Sequence, residues 1–115
     1  MQSRSGKKGM STVQQDWHRV GPASDIDEED VMRFDLGERT FAVYNTEWGF
    51  FATDGLCTHE EQHLADGLVI DDIIECPLHQ GRFHIPTGKA KSAPVCVDLK
   101  TYPVKVEDGD LYIQA

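Results

Sequence analysis

The sequence predicts an all-β fold, a small antiparallel sandwich or barrel. Three observations predict it: short apolar runs with period-two alternation, turn signals between the runs, and weak helical periodicity throughout. Trp17–Val20 is the first candidate strand. Ser24–Asp30 (SDIDEED) is acidic and reads as a solvated loop with room for one helical turn. Val31–Leu36 alternates up to a turn at Gly37-Glu38, Thr40–Asn45 follows, and Gly49–Thr53 ends at Asp54-Gly55. Leu68–Ile70 and Ile73–Glu75 flank Asp71-Asp72 as a hairpin, with Gly67 as a turn exit before it. Arg82–Ile85 stops at Pro86-Thr87-Gly88. Thr101–Val106 and Asp110–Gln114 flank Glu107-Asp108-Gly109, the strongest hairpin signal in the chain. Trp17, Trp48, Phe50 and Phe51 read as core or edge aromatics, with Trp48 partly exposed in a turn.

The 115 residues suit one domain with one core. Residues 1–10 (MQSRSGKKGM) read as a disordered, vector-derived leader, leaving 11–115 as a single domain. The net charge is −9, and the leader holds three of the eleven basic residues and no acid. The other eight basic and all twenty acidic residues leave −12 on residues 11–115. Such a surface repels phosphate backbones, so nucleic-acid binding is disfavoured, while basic protein partners are favoured. No apolar run approaches the roughly 20 residues that span a bilayer. With no signal-peptide pattern either, the expected location is the cytoplasm, with no membrane partner.

Cys57, Cys76 and Cys96 are too few and odd in number for a disulfide scaffold, which points to metal ligation or buried thiols. Two loop segments concentrate ligand chemistry: Cys57-Thr58-His59 and Cys76-Pro77-Leu78-His79. Each offers one thiolate and one imidazole. Zinc accepts two Cys and two His in a closed tetrahedral site. Zinc fingers, however, usually place their two Cys together and then their two His. A binuclear iron–sulfur centre in which two His replace two Cys on one iron explains a one-of-each arrangement better. Cys96 reads as a small buried hydrophobe, His63 as an exposed loop histidine, and His84 as a surface residue.

CTHE at 57–60 and CPLHQGRF at 76–83 resemble the two cluster-binding boxes of Rieske proteins. The likeness is to the small Rieske-type [2Fe-2S] ferredoxins of bacterial aromatic-ring-hydroxylating dioxygenase systems. It continues through FHIPTGKA (83–90) and APVCVDLKTYPVKVEDGDLYI (93–113), covering residues 16–115. The resemblance implies a β-sandwich with a two-loop cluster-binding subdomain. One [2Fe-2S] cluster per chain would be held by Cys57, His59, Cys76 and His79, with the cysteines on the inner iron and the histidines on the outer one. The implied protein is a one-electron carrier and not itself an enzyme, with a monomer as the default expectation. It would run between a flavin-containing ferredoxin reductase and a terminal Rieske oxygenase that dihydroxylates aromatic rings. The implied contact patch is the cluster tip: His59, His79, Leu78, Leu64 and Pro94. Pro94 would lie in a stiff loop covering the cluster.

Departures from other branches sharpen this. Respiratory Rieske proteins carry an extra Cys in each box, where this chain has Gln62 and Leu78. They also place hydroxyls where this chain has Gly81 and Phe83. With those donors gone, the midpoint is expected at the low end of the Rieske range of about −150 to +300 mV. Oxygenase subunits commonly have Trp at the position of Gly81 and need a second domain with mononuclear iron. Here His18, His63 and His84 form no such pattern, and the chain is too short. The alternatives are a ferredoxin for a different monooxygenase, the Rieske-like small subunit of a nitrite reductase, and a structural zinc-binding module.

Overall fold

The computed structural model describes residues 16–58, 61–77, 80–91 and 97–115. The leader at 1–10 lies outside them. Among the described residues, ten strands form three antiparallel sheets, as the alternation predicts. The first sheet has the order β1 (Trp17–Pro22), β10 (Asp110–Gln114), β9 (Val104–Glu107). The second runs β2 (Asp30–Leu36), β3 (Arg39–Thr46), β4 (Gly49–Asp54), β8 (Thr101–Tyr102). The third is a meander of three-residue strands, β5 (Leu68–Ile70), β6 (Ile73–Glu75) and β7 (Arg82–His84). No helix among the described residues is long and apolar enough to cross a membrane.

β3 organises the interior because it is buried on both faces. Phe41 and Val43 point to one core with Ile26, Ala52, Leu111 and Ile113, between the first two sheets. Ala42 and Tyr44 point to the other, with Leu64, Val69, Ile74, Phe83, Ile85, Leu99 and both Cys57 and Cys76. All four of these β3 residues are at most 1% exposed. A strand with two dry faces carries a continuous apolar run in place of alternation. Inside the second core the Tyr44 hydroxyl meets Thr53 Oγ1 at 2.8 Å. Burial pushes the Tyr44 phenol far above its usual range. Left unpaired, that hydroxyl would cost about 1–3 kcal/mol.

Three sequence expectations need correction. Thr101–Val106 is two strands, not one. Pro103 lacks an N–H and splits the run. Thr101 and Tyr102 pair with β4, whereas Val104 pairs with Ile113. The Pro103 carbonyl still accepts the Gln114 N–H at 2.9 Å, so the chain crosses between sheets at this residue. The acidic Ser24–Asp30 stretch is solvated except at Ile26, which is 3% exposed and sits in the first core. A short 3₁₀ turn, Ala23–Asp25, and the Asn45 amide donating to the Ile26 carbonyl at 2.8 Å hold it there. Ile85 lies beyond β7 in a turn, fully buried, with its N–H on the Asp72 carbonyl at 2.7 Å.

Candidate metal centre

The third sheet and two loops form a layer against the β3 face that carries Ala42 and Tyr44. The first loop leaves β4 through Gly55, which lies so close to β3 that a Cβ would stand 2.9 Å from the Phe41 nitrogen. The Cys57 N–H then donates to the Gln62 carbonyl at 2.9 Å. Behind that bond, Leu56 and His63 form a β-bridge, and the Leu64 N–H reaches the Gly55 carbonyl at 2.8 Å. The second loop joins β6 to β7. Its Cys76 N–H donates to the Gly81 carbonyl at 2.7 Å. Behind that bond, Glu75 pairs with Arg82 in register and by a 2.9 Å ion pair.

The two loops therefore close alike. In each, the cysteine N–H bonds the carbonyl five residues on, which satisfies a backbone donor and fixes the loop mouth. Both cysteines are buried, Cys57 at 5% and Cys76 at 0% exposure, in the same core. Two sulfur donors on matched loops, sheltered by Leu64, Ile74 and Phe83, suit a soft-ligand metal centre with a dry inner side. His59 and His79, the other two residues of the expected set, lie outside the described residues, as do Leu78, Pro94 and Cys96.

Close packing of backbone holds this layer together, and most of it is silent in the sequence. A Cβ on Gly67 would stand 2.2 Å from the Glu75 carbonyl oxygen, and one on Gly88 would stand 2.2 Å from that of Leu99. Gly67 is thus the contact that lets β5 lie on β6, not only a turn exit. Gly88 seats the return of the chain: its carbonyl accepts the Leu99 N–H at 2.7 Å. Beside it the Ala90 N–H bonds Asp98 Oδ1 at 2.9 Å. Thr58, next to Cys57, donates its hydroxyl to the Val97 carbonyl at 2.7 Å.

Two residues stand elsewhere than expected. Leu64, expected on the contact patch, is fully buried, because the 3₁₀ turn Leu64–Asp66 directs it into the core. His63, expected as an exposed loop residue, is half-buried, and its Nδ1 is sequestered with no hydrogen-bond partner among the described residues. The β-bridge to Leu56 holds it in. It lies near Asp35, whose carboxyl sits below the usual range chiefly because Arg33 Nε donates a 3.0 Å hydrogen bond to it. His84 is partly exposed, as read, and both ring nitrogens are engaged: Nε2 with Asp72 at 2.9 Å and Nδ1 with Thr87 at 2.8 Å. Trp48, in the β3–β4 turn, is 57% exposed.

Residues 16–103 match the Rieske [2Fe-2S] domain family. The chain is 47% identical over 92 residues to the naphthalene 1,2-dioxygenase system ferredoxin component of Pseudomonas putida, covering 80% of this chain and 88% of that protein. It superposes on the ferredoxin of Sphingomonas yanoikuyae B1 with a TM-score of 0.82 and 38% identity, over 87% of this chain and 99% of that one. A chain from a complex of reduced oxygenase and oxidized ferredoxin in carbazole 1,9a-dioxygenase gives 0.82 and 36%, over 88% of this chain and 94% of that one. The matched cysteine loops and the sequence likeness around them agree, and the chain belongs to the Rieske [2Fe-2S] domain family, whose cofactor is a Rieske-type [2Fe-2S] cluster.

Proposed function

We propose that this protein is a one-electron carrier, the ferredoxin component of an aromatic-ring dioxygenase system. It takes electrons from a flavin-containing ferredoxin reductase and delivers them to a terminal Rieske oxygenase. It works in the cytoplasm as a monomer, with residues 11–115 as one domain. The relatives support this: a naphthalene dioxygenase ferredoxin is 47% identical and is covered over 88% of its length. The observation that carries it is the pair of buried cysteines on identically closed loops, each followed within three residues by a histidine.

Cys57, His59, Cys76 and His79 are the residues that hold the cluster in this reading. When bound, the cluster supplies a site that gains and loses one electron. The chain's part is to hold two thiolates rigidly and keep water from their inner side. Tyr44, Leu64, Ile74 and Phe83 do the latter, each fully buried. Phe83 and Gly81 bring no side-chain hydroxyl, which favours the low end of the Rieske potential range. The charge of −9 steers encounter toward a basic surface on the oxygenase, and contacts below about 1,200 Å² let both partners release quickly.

Anaerobic purification followed by iron and acid-labile sulfide analysis tests the cofactor and its ligands. Two irons and two sulfides per chain are expected, lost in Cys57→Ser, Cys76→Ser, His59→Ala or His79→Ala. Electron paramagnetic resonance of the dithionite-reduced protein should give an average g below that of an all-thiolate cluster. A colourless protein with zinc and no sulfide overturns the reading. Electron transfer to the oxygenase should slow as salt rises, and rates flat with ionic strength would remove the steering argument.

A further inference from the structure

The third sheet has two faces. Val69, Ile74 and Phe83 point inward, to the layer that holds both cysteines. The alternate residues point outward. Register places Leu68, Glu75 and Arg82 in one outward row and Ile70, Ile73 and His84 in the next. Residues 89–91 extend both rows. The His84 N–H donates to the Lys89 carbonyl and the Lys91 N–H to the Arg82 carbonyl, each at 2.8 Å. Ala90 bridges Phe83 and packs inward, so Lys89 and Lys91 stand outward, both exposed.

The outward face is graded in polarity. At β5 it is apolar, with Leu68 57% and Ile70 40% exposed. Across its middle, Arg82 is paired with Glu75 and His84 with Asp72. At its far edge Lys89 and Lys91 meet no carboxylate among the described residues. Three of the eight basic residues beyond the leader thus share one face of an otherwise acidic chain.

We propose that this face docks the electron donor, a flavoprotein that sets an apolar side chain on Leu68 and Ile70 and carboxylates on Lys89 and Lys91. The inference rests on the carrier reading above. Charge selects the donor over the acceptor. Uptake of one electron, lost by the reduced flavoprotein, adds one negative charge to the chain, whose two cysteines share the buried layer on the inward side of this sheet. A partner held through its own carboxylates is bound more tightly before that charge arrives and repelled after it. A donor needs that order and an acceptor needs the reverse. A second copy of the chain brings −9 against −9, which opposes self-association.

Titration calorimetry of the iron-loaded, oxidised chain with the reductase and with the oxygenase of its system tests this. Lys89→Glu/Lys91→Glu and Leu68→Ser/Ile70→Ser should each weaken reductase binding about tenfold or more. Oxygenase binding should change by less than about twofold, with iron content and visible spectrum as in wild type. Reduction of the wild-type chain should also weaken the reductase complex. Unchanged reductase affinity, an equal loss toward the oxygenase, or an effect confined to self-association overturns the proposal. If the wild-type, iron-loaded chain neither binds the reductase nor accepts its electrons, the carrier reading falls and takes this surface with it.

Discussion

The two cores on either side of β3 are built by different means. The first, between two sheets, is closed mainly by strands of four to eight residues, with only the two-residue β8 shorter, and by side chains such as Phe41, Leu111 and Ile113. The second rests on three-residue strands, loop bonds and bare backbone contacts at Gly55, Gly67 and Gly88. Ladder hydrogen bonds and alternating side chains suffice to assemble the first. The second gathers two cysteines into a dry layer with little regular structure, so its stability depends on what the cysteines bind.

The largest separation of the two should come from the cofactor. Removing the iron, or making Cys76→Ser, should cut amide-exchange protection at Ile74, Phe83 and Ile85 by orders of magnitude and leave Val43 and Ile113 nearly unchanged. Equal loss in both cores would show that they fold as one unit. Next in size, Gly67→Ala forces a Cβ toward a carbonyl 2.2 Å away. It should cost about 3 kcal/mol or more in urea unfolding. Gly109→Ala, at φ +82 with nothing within 4 Å among the described residues, should cost only about 1 kcal/mol.

Phe83→Tyr and Gly81→Ser probe the second core more finely. Phe83 is fully buried in the core that holds both cysteines, so a hydroxyl there enters the layer of the two thiolates. Each substitution should move the midpoint upward in protein-film voltammetry, and no shift or a negative one would contradict the role given to these positions. The smallest effect belongs to the other side of the molecule. Tyr102 donates to Asp54 at 2.6 Å, and its phenol is raised to about 12, by burial first and then by that carboxylate. A raised phenol contributes stability fully present below its unfolded pKa of about 10 and lost as pH rises through the folded value. Tyr102→Phe should therefore flatten the fall in urea midpoint over that alkaline window, without altering the potential.

Much of this was legible in the residues. Period-two runs marked the strands, and the Cys-x-His and Cys-x-x-His segments marked the centre before any fold was known. Other features were not legible. Nothing local in Leu64 or His63 distinguishes a core position from a loop tip, because a 3₁₀ turn and one β-bridge to Leu56 decide it. Gly67 looks like any turn glycine until Glu75 is laid across it.

The sequence by itself determined which chemistry is present: the thiol and imidazole donors, the missing hydroxyls at 81 and 83, the acidic surface, and the strand-and-turn pattern. Those are properties of side chains and of spacing along the chain. Only the tertiary structure decided that β3 buries both faces, that Pro103 passes the chain from sheet to sheet, and that Lys89 and Lys91 share a face with Leu68 and Ile70. Each of these depends on which distant segment packs alongside, and that is set by the global burial of apolar surface, not by any short stretch of residues.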